Sequence, residues 1–472
     1  MTDDISPSSP GDADRVWQEF LSQFLGEDAE GVLEELRRRG FDPAELSNAT
    51  GLPTDPLALN LAIGQVKAML ARSMSTEDRS VMVRDIARQT LMAQGDPSVN
   101  SAQQAGVGQA FSMANLWLDS ATVYPPVAPA PAAWSRAEWV EETAEAWLAV
   151  AQPVGNSLSK ALSEVLQNNL PESFGDDDAP AGFPGGGFDG PGLPQIFHRL
   201  SDTVFAMQIG QAAGSLAKEV FGSTDLALPL TAKPVTALLP ANINDFAEGL
   251  ETPLAEVTIF LALRESAHAR LFNSAPWLRA HLIGIVESYA AGITIDEDSL
   301  QRAVGEIDPA NPEELQRAIS SGIFELPTTS SQQEKLAELE TLLALIEGWV
   351  DTVSTAAAAP HLPAAGALAE MMRRRRAVAG PAEQTFATLV GLELRPRRLR
   401  EAAKFWSVLT TELDSTDRDE IWRHPDLLPT AEDLSDPSGY LLRQQAAAQA
   451  DSEFDEEIAK LLAQEGGETA AE

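Results

Sequence analysis

Apolar positions along this chain recur at spacings of three and four, while strict two-residue alternation is rare, so the pattern predicts helices and few strands. The first such run carries Trp17, Phe20, Leu21, Phe24 and Leu25, and others cover 33–39, 57–71, 77–94 and 102–118. Helical periodicity resumes over 197–221, returns after Asn242, and continues through 334–353 and 382–413 before fading beyond Tyr440. Two short apolar runs bounded by prolines, Leu226 to Leu230 and Val235 to Leu239, are the best candidates for extended segments. The expected fold class is mainly α, a multi-helix core with few short strands behind a helical N-terminal region.

Breaks in the pattern suggest the organisation. The segment 123–133 holds four prolines and predicts a stiff connector. Directly after it, Ser135 and Glu138 spell a capping box with Trp134 and Trp139 placed as a hydrophobic staple, so a helix starts there. Residues 172–194 contain three consecutive aspartates and seven glycines, which cannot form a packed face. This Gly-rich stretch has no Gly-Lys-Ser/Thr ending and carries Asp where a phosphate loop needs Lys. The expected division is a disordered lead (1–14), a helical N-terminal region (15–171), an acidic Gly/Pro-rich linker (172–194), a helical core (195–443) and an acidic tail (444–472). No internal repeat is present.

Composition narrows the function. The chain of 472 residues has 71 acids against 33 bases, a net charge of −38, and this field repels phosphate backbones and anionic membrane surfaces. Nucleic-acid and membrane partners are therefore not expected, and the charge serves solubility or a specific basic or cationic partner. With no cysteine there is no disulfide, no thiolate nucleophile and no Cys-ligated metal, so any metal must use His and carboxylates. The N-terminus lacks a basic, apolar leader and no segment has a membrane-spanning apolar run, so a cytoplasmic location is expected. Serine-hydrolase elbows, Walker loops and dinucleotide fingerprints are missing.

One segment carries chemistry. Thr252 and Pro253 read as the start of a helix whose stripe is Leu254, Val257, Leu261, Arg264, His268 and Leu271. Arg264 and His268 thus stand where apolar residues belong, with Glu265 at the edge of the same face. Buried, these groups must be paired. The spelling Arg264-Glu265-Ser266-Ala267-His268 is H-E-x-x-H with its first letter changed. In that motif two His one turn apart bind zinc and the Glu polarises the metal-bound water. Glu287 follows nineteen residues after His268 on the next helical pattern, in the string Glu287-Ser288-Tyr289, and is a candidate third ligand. The same residues equally allow an Arg264–Glu287 ion pair inside a helical hairpin. Tyr289 and His281 are auxiliary candidates. The arginines at 373–376 and 395–400 stand out in so acidic a chain. They either pair with carboxylates and helix C-termini or form an anion groove around Arg397 and Arg398.

From about 197 to 434 the sequence resembles the bacterial zincin-like metallopeptidase family, a group of proposed hydrolases associated with deazaflavin-cofactor biosynthesis. The resemblance is carried by the strings at 205–216, 263–272, 276–279, Glu347-Gly-Trp-Val350, 380–386, 391–400 and His424-Pro-Asp-Leu-Leu-Pro429. It implies a zincin-like core, zinc as cofactor, Glu265 as general base, His268 as a metal ligand and Glu287 as a possible further one. Arg264 departs from the pattern, because a guanidinium stays protonated and cannot ligate zinc. Two functions follow. In one, zinc held by His268, Glu287 and another donor supports amide hydrolysis of a peptide or protein substrate. In the other, Arg264 supplies the charge that zinc would bring, and the protein is an inactive pseudo-zincin acting as a helical scaffold or partner-binding module.

Overall fold

The computed structural model describes residues 76–128, 130–169, 193–293, 329–378 and 397–446, with single positions at 380, 384, 387 and 449. The expectations for the lead, for the helical runs before residue 76, for the linker between 172 and 192 and for the tail beyond 450 lie outside the described residues.

The fold is mainly α. In chain order the elements are α1 (Thr76–Gln94), α2 (Ser101–Leu118), β1 (Ala132–Ala133), α3 (Arg136–Asn169), α4 (Leu193–Leu216), β2 (Ala237–Leu238) and α5 (Pro240–Ala247). They continue with α6 (Leu254–Ser274), α7 (Trp277–Ala291), α8 (Ser330–Ala358), α9 (Ala365–Ala377), α10 (Leu399–Glu412), α11 (Ser415–Glu420) and α12 (Ala431–Ser435). No described helix is long and apolar enough to cross a membrane.

The chain forms two compact units, each drawn from three stretches: 1–83, 151–209 and 287–332 in one, 84–150, 210–286 and 333–472 in the other. In the first unit, Arg79 pairs with Asp202 at 2.9 Å. Gln332 and Thr329 cap the start of α8, the Thr329 N–H donating to the Gln332 amide oxygen at 3.0 Å. A side chain at Gly155 would meet the Phe205 ring at 2.6 Å, so the glycine admits that ring.

The second unit is built around α6. From Phe260 to Leu271 every α6 residue is buried, polar ones included, so this is a central helix and not the one-sided stripe read from the sequence. Its most extensive neighbour is α2, which contributes Val107, Ala110, Phe111, Ala114 and Leu118 to the core. Helix α3 starts as its capping box requires: the Ser135 N–H donates to Glu138 at 2.7 Å and the Glu138 N–H to the Ser135 hydroxyl at 3.2 Å. Helix α6, by contrast, begins with Pro253 at its N-cap and no side-chain cap, one residue later than Thr252 suggests.

Of the two apolar runs, only the second holds a strand. β2 pairs in parallel with β1, Ala132 with Ala237 and Ala133 with Leu238, and β1 lies inside the stretch expected to be a bare connector. Residues 226–230 instead run from a turn through bends into irregular chain, with Ala227 at a φ of 57°. On the other side of β2, the Leu239 N–H donates to the Phe221 carbonyl at 2.8 Å and the Ser223 N–H to the Ala237 carbonyl at 3.3 Å. Helix α4 therefore stops at Leu216, short of Phe221, because residues 221–223 are held as a third, extended partner. That arrangement delivers Ser223 and Thr224 to the face of α6.

A second anchor lies at Asp419, which is fully buried. It accepts from the Thr122 hydroxyl at 2.5 Å, the Val123 N–H at 3.1 Å and the Trp349 indole at 2.9 Å, and pairs with Arg418. It joins the connector, α8 and α11 through one carboxylate.

Candidate functional site

Arg264, Glu265 and His268 leave α6 into the interior of the second unit, all three buried. One turn of helix separates Arg264 from His268, so both side chains reach the facing helix α8. There they meet Glu347, which has no exposed surface. The Arg264 guanidinium donates to Glu347 Oε2 at 2.6 Å, and Arg376 from α9 donates to Oε1 at 3.2 Å. His268 Nε2 lies 3.7 Å from the same Oε1, beyond hydrogen-bond length. One turn further along α8, Asp351 is 3.5 Å from the other Arg264 nitrogen and 2.8 Å from Arg373. Gly348 lets this helix approach α10, since a side chain there would meet Ala402 at 2.7 Å.

Burial by itself would raise the Glu347 carboxyl, but the Arg376 and Arg264 guanidiniums outweigh it and, with His268, hold its pKa below the usual carboxylate range. At Asp351 burial prevails over Arg264 and Arg373, and the pKa is raised.

Glu265 points the other way. Its carboxylate accepts from the Ser223 N–H at 2.9 Å, the Thr224 N–H at 3.2 Å and the Thr224 hydroxyl at 2.7 Å, as well as from the Ser223 hydroxyl. Both oxygens are thus engaged, and α6 is tied to the strand segment at 222–224. Burial raises the Glu265 pKa, with the bonds from Ser223 and Thr224 and the charge of His268 opposing it. Gly222 makes the contact possible: a side chain there would lie 2.7 Å from the Glu265 carboxyl carbon and 2.8 Å from the Ala237 carbonyl.

His268 is held as metal-ligating histidines are held. Its Nδ1 lies 3.1 Å from the Arg264 carbonyl, which can only accept, so Nδ1 carries the proton and Nε2 faces Glu347. The remaining donor set does not fit a zinc ion. Beside Nε2 and the Glu347 carboxylate stand two guanidiniums, and Glu265 is turned to the loop. Among the described residues, no group of three or more His, Asp or Glu side chains is arranged to hold a metal. The space bounded by Arg264, Glu265 and His268 is a void of about 10 Å³, no larger than one water. Asp225 lines both it and a cavity of about 190 Å³ beside Arg375 and Arg376.

The other candidates lie elsewhere. Glu287 is exposed on α7, and the acids that receive Arg264 are Glu347 and Asp351. Tyr289 is buried, with its pKa raised by that burial. His281 is half-buried, 3.8 Å from Glu338 and edge-on to Trp277. Arg397 is exposed. Arg398 clamps α10 to α12, donating to the Ala431 carbonyl at 2.6 Å and the Ser435 hydroxyl at 2.8 Å while pairing with Glu401. Arginines 373 to 376 make ion pairs or reach backbone: Arg374 binds Glu370, and Arg375 lies over the Phe221 ring at 4.4 Å and donates to the Glu219 carbonyl.

The sequence reading missed Glu347 and Asp351 as site residues, whereas Arg373 and Arg376 were expected to pair with carboxylates and do so with these two. A signal was available, because Glu347-Gly-Trp-Val-Asp351 places two carboxylates one helical turn apart on one face. The separation of 79 positions between His268 and Glu347 concealed their proximity.

A family model of zincin-like metallopeptidases matches residues 80–441. No curated protein matches the chain. Among solved structures, that of a proposed hydrolase with a novel fold from Chloroflexus aurantiacus is similar, with a TM-score of 0.52 at 16 % identity, covering 77 % of this chain and 97 % of that one. At that identity the likeness is one of fold.

Proposed function

Because the chain belongs to the zincin-like metallopeptidase family, we propose that it is a pseudo-zincin, a binding protein on a peptidase scaffold whose metal is replaced by a buried ion-pair cluster. The observation carrying this reading is the 2.6 Å contact of Arg264 with Glu347. A guanidinium takes the place of the motif's first imidazole and brings a permanent positive charge, which repels a metal cation. Engagement of both Glu265 oxygens supports the same reading, since a general base needs a free oxygen within reach of its proton.

A second reading, a zinc-dependent hydrolase, draws on one observation. Two ligands of a tetrahedral zinc at ~2.0 to 2.1 Å stand roughly 3.3 Å apart, and His268 Nε2 is 3.7 Å from Glu347 Oε1. These two residues keep nearly the span of a shared ion. They would be its ligands, with Glu265 as the base and a peptide or protein as substrate, as membership of a metallopeptidase family suggests.

Metal analysis separates the two. Protein purified without chelator is expected to carry essentially no zinc by plasma mass spectrometry, and stoichiometric zinc lost in Glu347→Gln would overturn the pseudo-zincin reading. In addition, Arg264→His restores the missing imidazole and is expected to confer zinc binding measurable by calorimetry. A folded Arg264→His protein without zinc affinity would sink the proposal that these residues share a former metal position.

A further inference from the structure

Away from the cluster, within the second unit, α2, α5 and the N-terminal half of α6 enclose an open groove of about 520 Å³. Gly106, Ala110 and Met113 form one wall, Ile243 the end, and Leu254 and Ile259 the other wall. No charged side chain lines it, in a chain where 22 % of residues are charged. Met113 and Leu254 are exposed at its lip.

Gly106 shows that folding does not require the groove to be open. It lies in the middle of α2 in ordinary helical backbone, and an added side chain would meet nothing within 4 Å. A mid-helix glycine costs about 1 kcal/mol relative to alanine, and neither packing nor backbone geometry here asks for one. Its effect is to widen the groove.

The surroundings specify an occupant. The two stretches that build the groove, 95–135 and 234–263, contain no Lys or Arg, while Glu248 and Glu251 are exposed between α5 and α6 and Glu256 directly follows the lining residue Ala255. Arg136, which directly follows the first stretch, is engaged by Asn242, Asp245 and the Gly95 carbonyl. An uncharged apolar floor beside an acidic rim complements a helix whose apolar stripe is flanked by Lys and Arg. We propose that this groove binds a basic amphipathic helix of a partner protein. The inference deepens the binding role proposed above by naming its partner chemistry. The groove shares no residue with the Arg264–Glu347 cluster, so its failure leaves that reading standing.

The test uses the full chain and fluorescein-labelled synthetic helices of about four turns: a Leu/Ala stripe flanked by Lys, the same stripe flanked by Glu, and the Lys peptide with its stripe scrambled. Fluorescence anisotropy is expected to show saturable micromolar binding of the first and at least tenfold weaker binding of the other two. Gly106→Leu, which fills the groove, and Met113→Lys, which charges its exposed lip, should each weaken the first peptide at least tenfold without lowering the melting temperature. Equal binding of the scrambled peptide would reveal mere attraction to an acidic chain and overturn the proposal. So would undiminished binding by both variants. An uncharged apolar dye that binds the wild type and not Gly106→Leu, with no peptide bound, would replace the helix by a small apolar ligand.

Discussion

Replacing Glu347 by Gln isolates the electrostatic part of the cluster, because the amide keeps the volume and removes the charge. Arg264 at 2.6 Å and Arg376 at 3.2 Å would then face a neutral group in a position with no exposed surface. Removing one partner of a buried pair costs roughly 3 to 5 kcal/mol. Asp351 remains 3.5 Å from Arg264 and offsets part of the loss, which places the expected cost near the lower end of that range. At about 2.1 cal/mol/K per residue, about 3 kcal/mol corresponds to a melting temperature roughly 3 °C lower at this chain length. Calorimetry and urea midpoints measure it directly. The pH dependence is a sharper check. Glu347 has a depressed pKa in the folded state, so its stabilisation is complete above the unfolded value of about 4.3 and is lost as pH falls through the lower folded value. Glu265 and Asp351, whose pKa values are raised, run the opposite way; Glu265 is unaffected by the substitution and cancels in the comparison, whereas Asp351 is raised in part by Glu347 itself and narrows the gap somewhat as it ionises. The stability gap between wild type and Glu347→Gln should therefore stay nearly constant from pH 8 to about pH 5 and close in stronger acid. A gap under about 1 kcal/mol, or one that persists unchanged to pH 3, would refute the ion-pair account.

Two further substitutions test the supports of the site. Gly222→Ala drives a methyl group to 2.7 Å from the Glu265 carboxyl carbon and 2.8 Å from the Ala237 carbonyl, displacing the carboxylate from Ser223 and Thr224. The expected loss is about 2 to 4 kcal/mol in urea denaturation, and an unchanged midpoint would contradict the close approach. Asp419→Asn removes the charge opposite Arg418 and disturbs the bond from the Trp349 indole at 2.9 Å. A loss of roughly 2 to 4 kcal/mol is expected, accompanied by altered tryptophan fluorescence; wild-type values for both would argue against this anchor.

Local structure was the legible part of the sequence. The Ser135–Glu138 box starts α3 because its hydrogen bonds span three residues, and the long periodic runs became α2, α6 and α8 for the same reason. The pairing need of Arg264 and His268 was legible too, since their positions on an apolar stripe put them inside. The partner was not, because hydrogen bonds and ion pairs between distant segments leave no periodic trace. Glu287 was close in sequence and fell on the exposed side of α7, whereas Glu347 and Asp351 arrive from α8. Nor did periodicity reveal that Glu265 turns towards Ser223 and Thr224, because that contact depends on Gly222 and on a two-residue strand.

The charge balance of the cluster explains how a zincin-like core can hold together around arginine. A divalent zinc with two imidazoles and one glutamate carries two positive charges against one negative. Arg264, Arg373 and Arg376 against Glu347 and Asp351 leave the same excess of one positive charge, and the depressed Glu347 pKa follows from the two guanidiniums on it. The electrostatic requirement of the buried glutamate is therefore met with side chains alone. What guanidinium does not reproduce is Lewis acidity: it accepts no lone pair, so it cannot lower the pKa of a water as zinc does. Stability and catalysis separate at this point, and Arg264→His should trade one for the other, giving up a hydrogen bond to Glu347 and gaining a ligand beside His268.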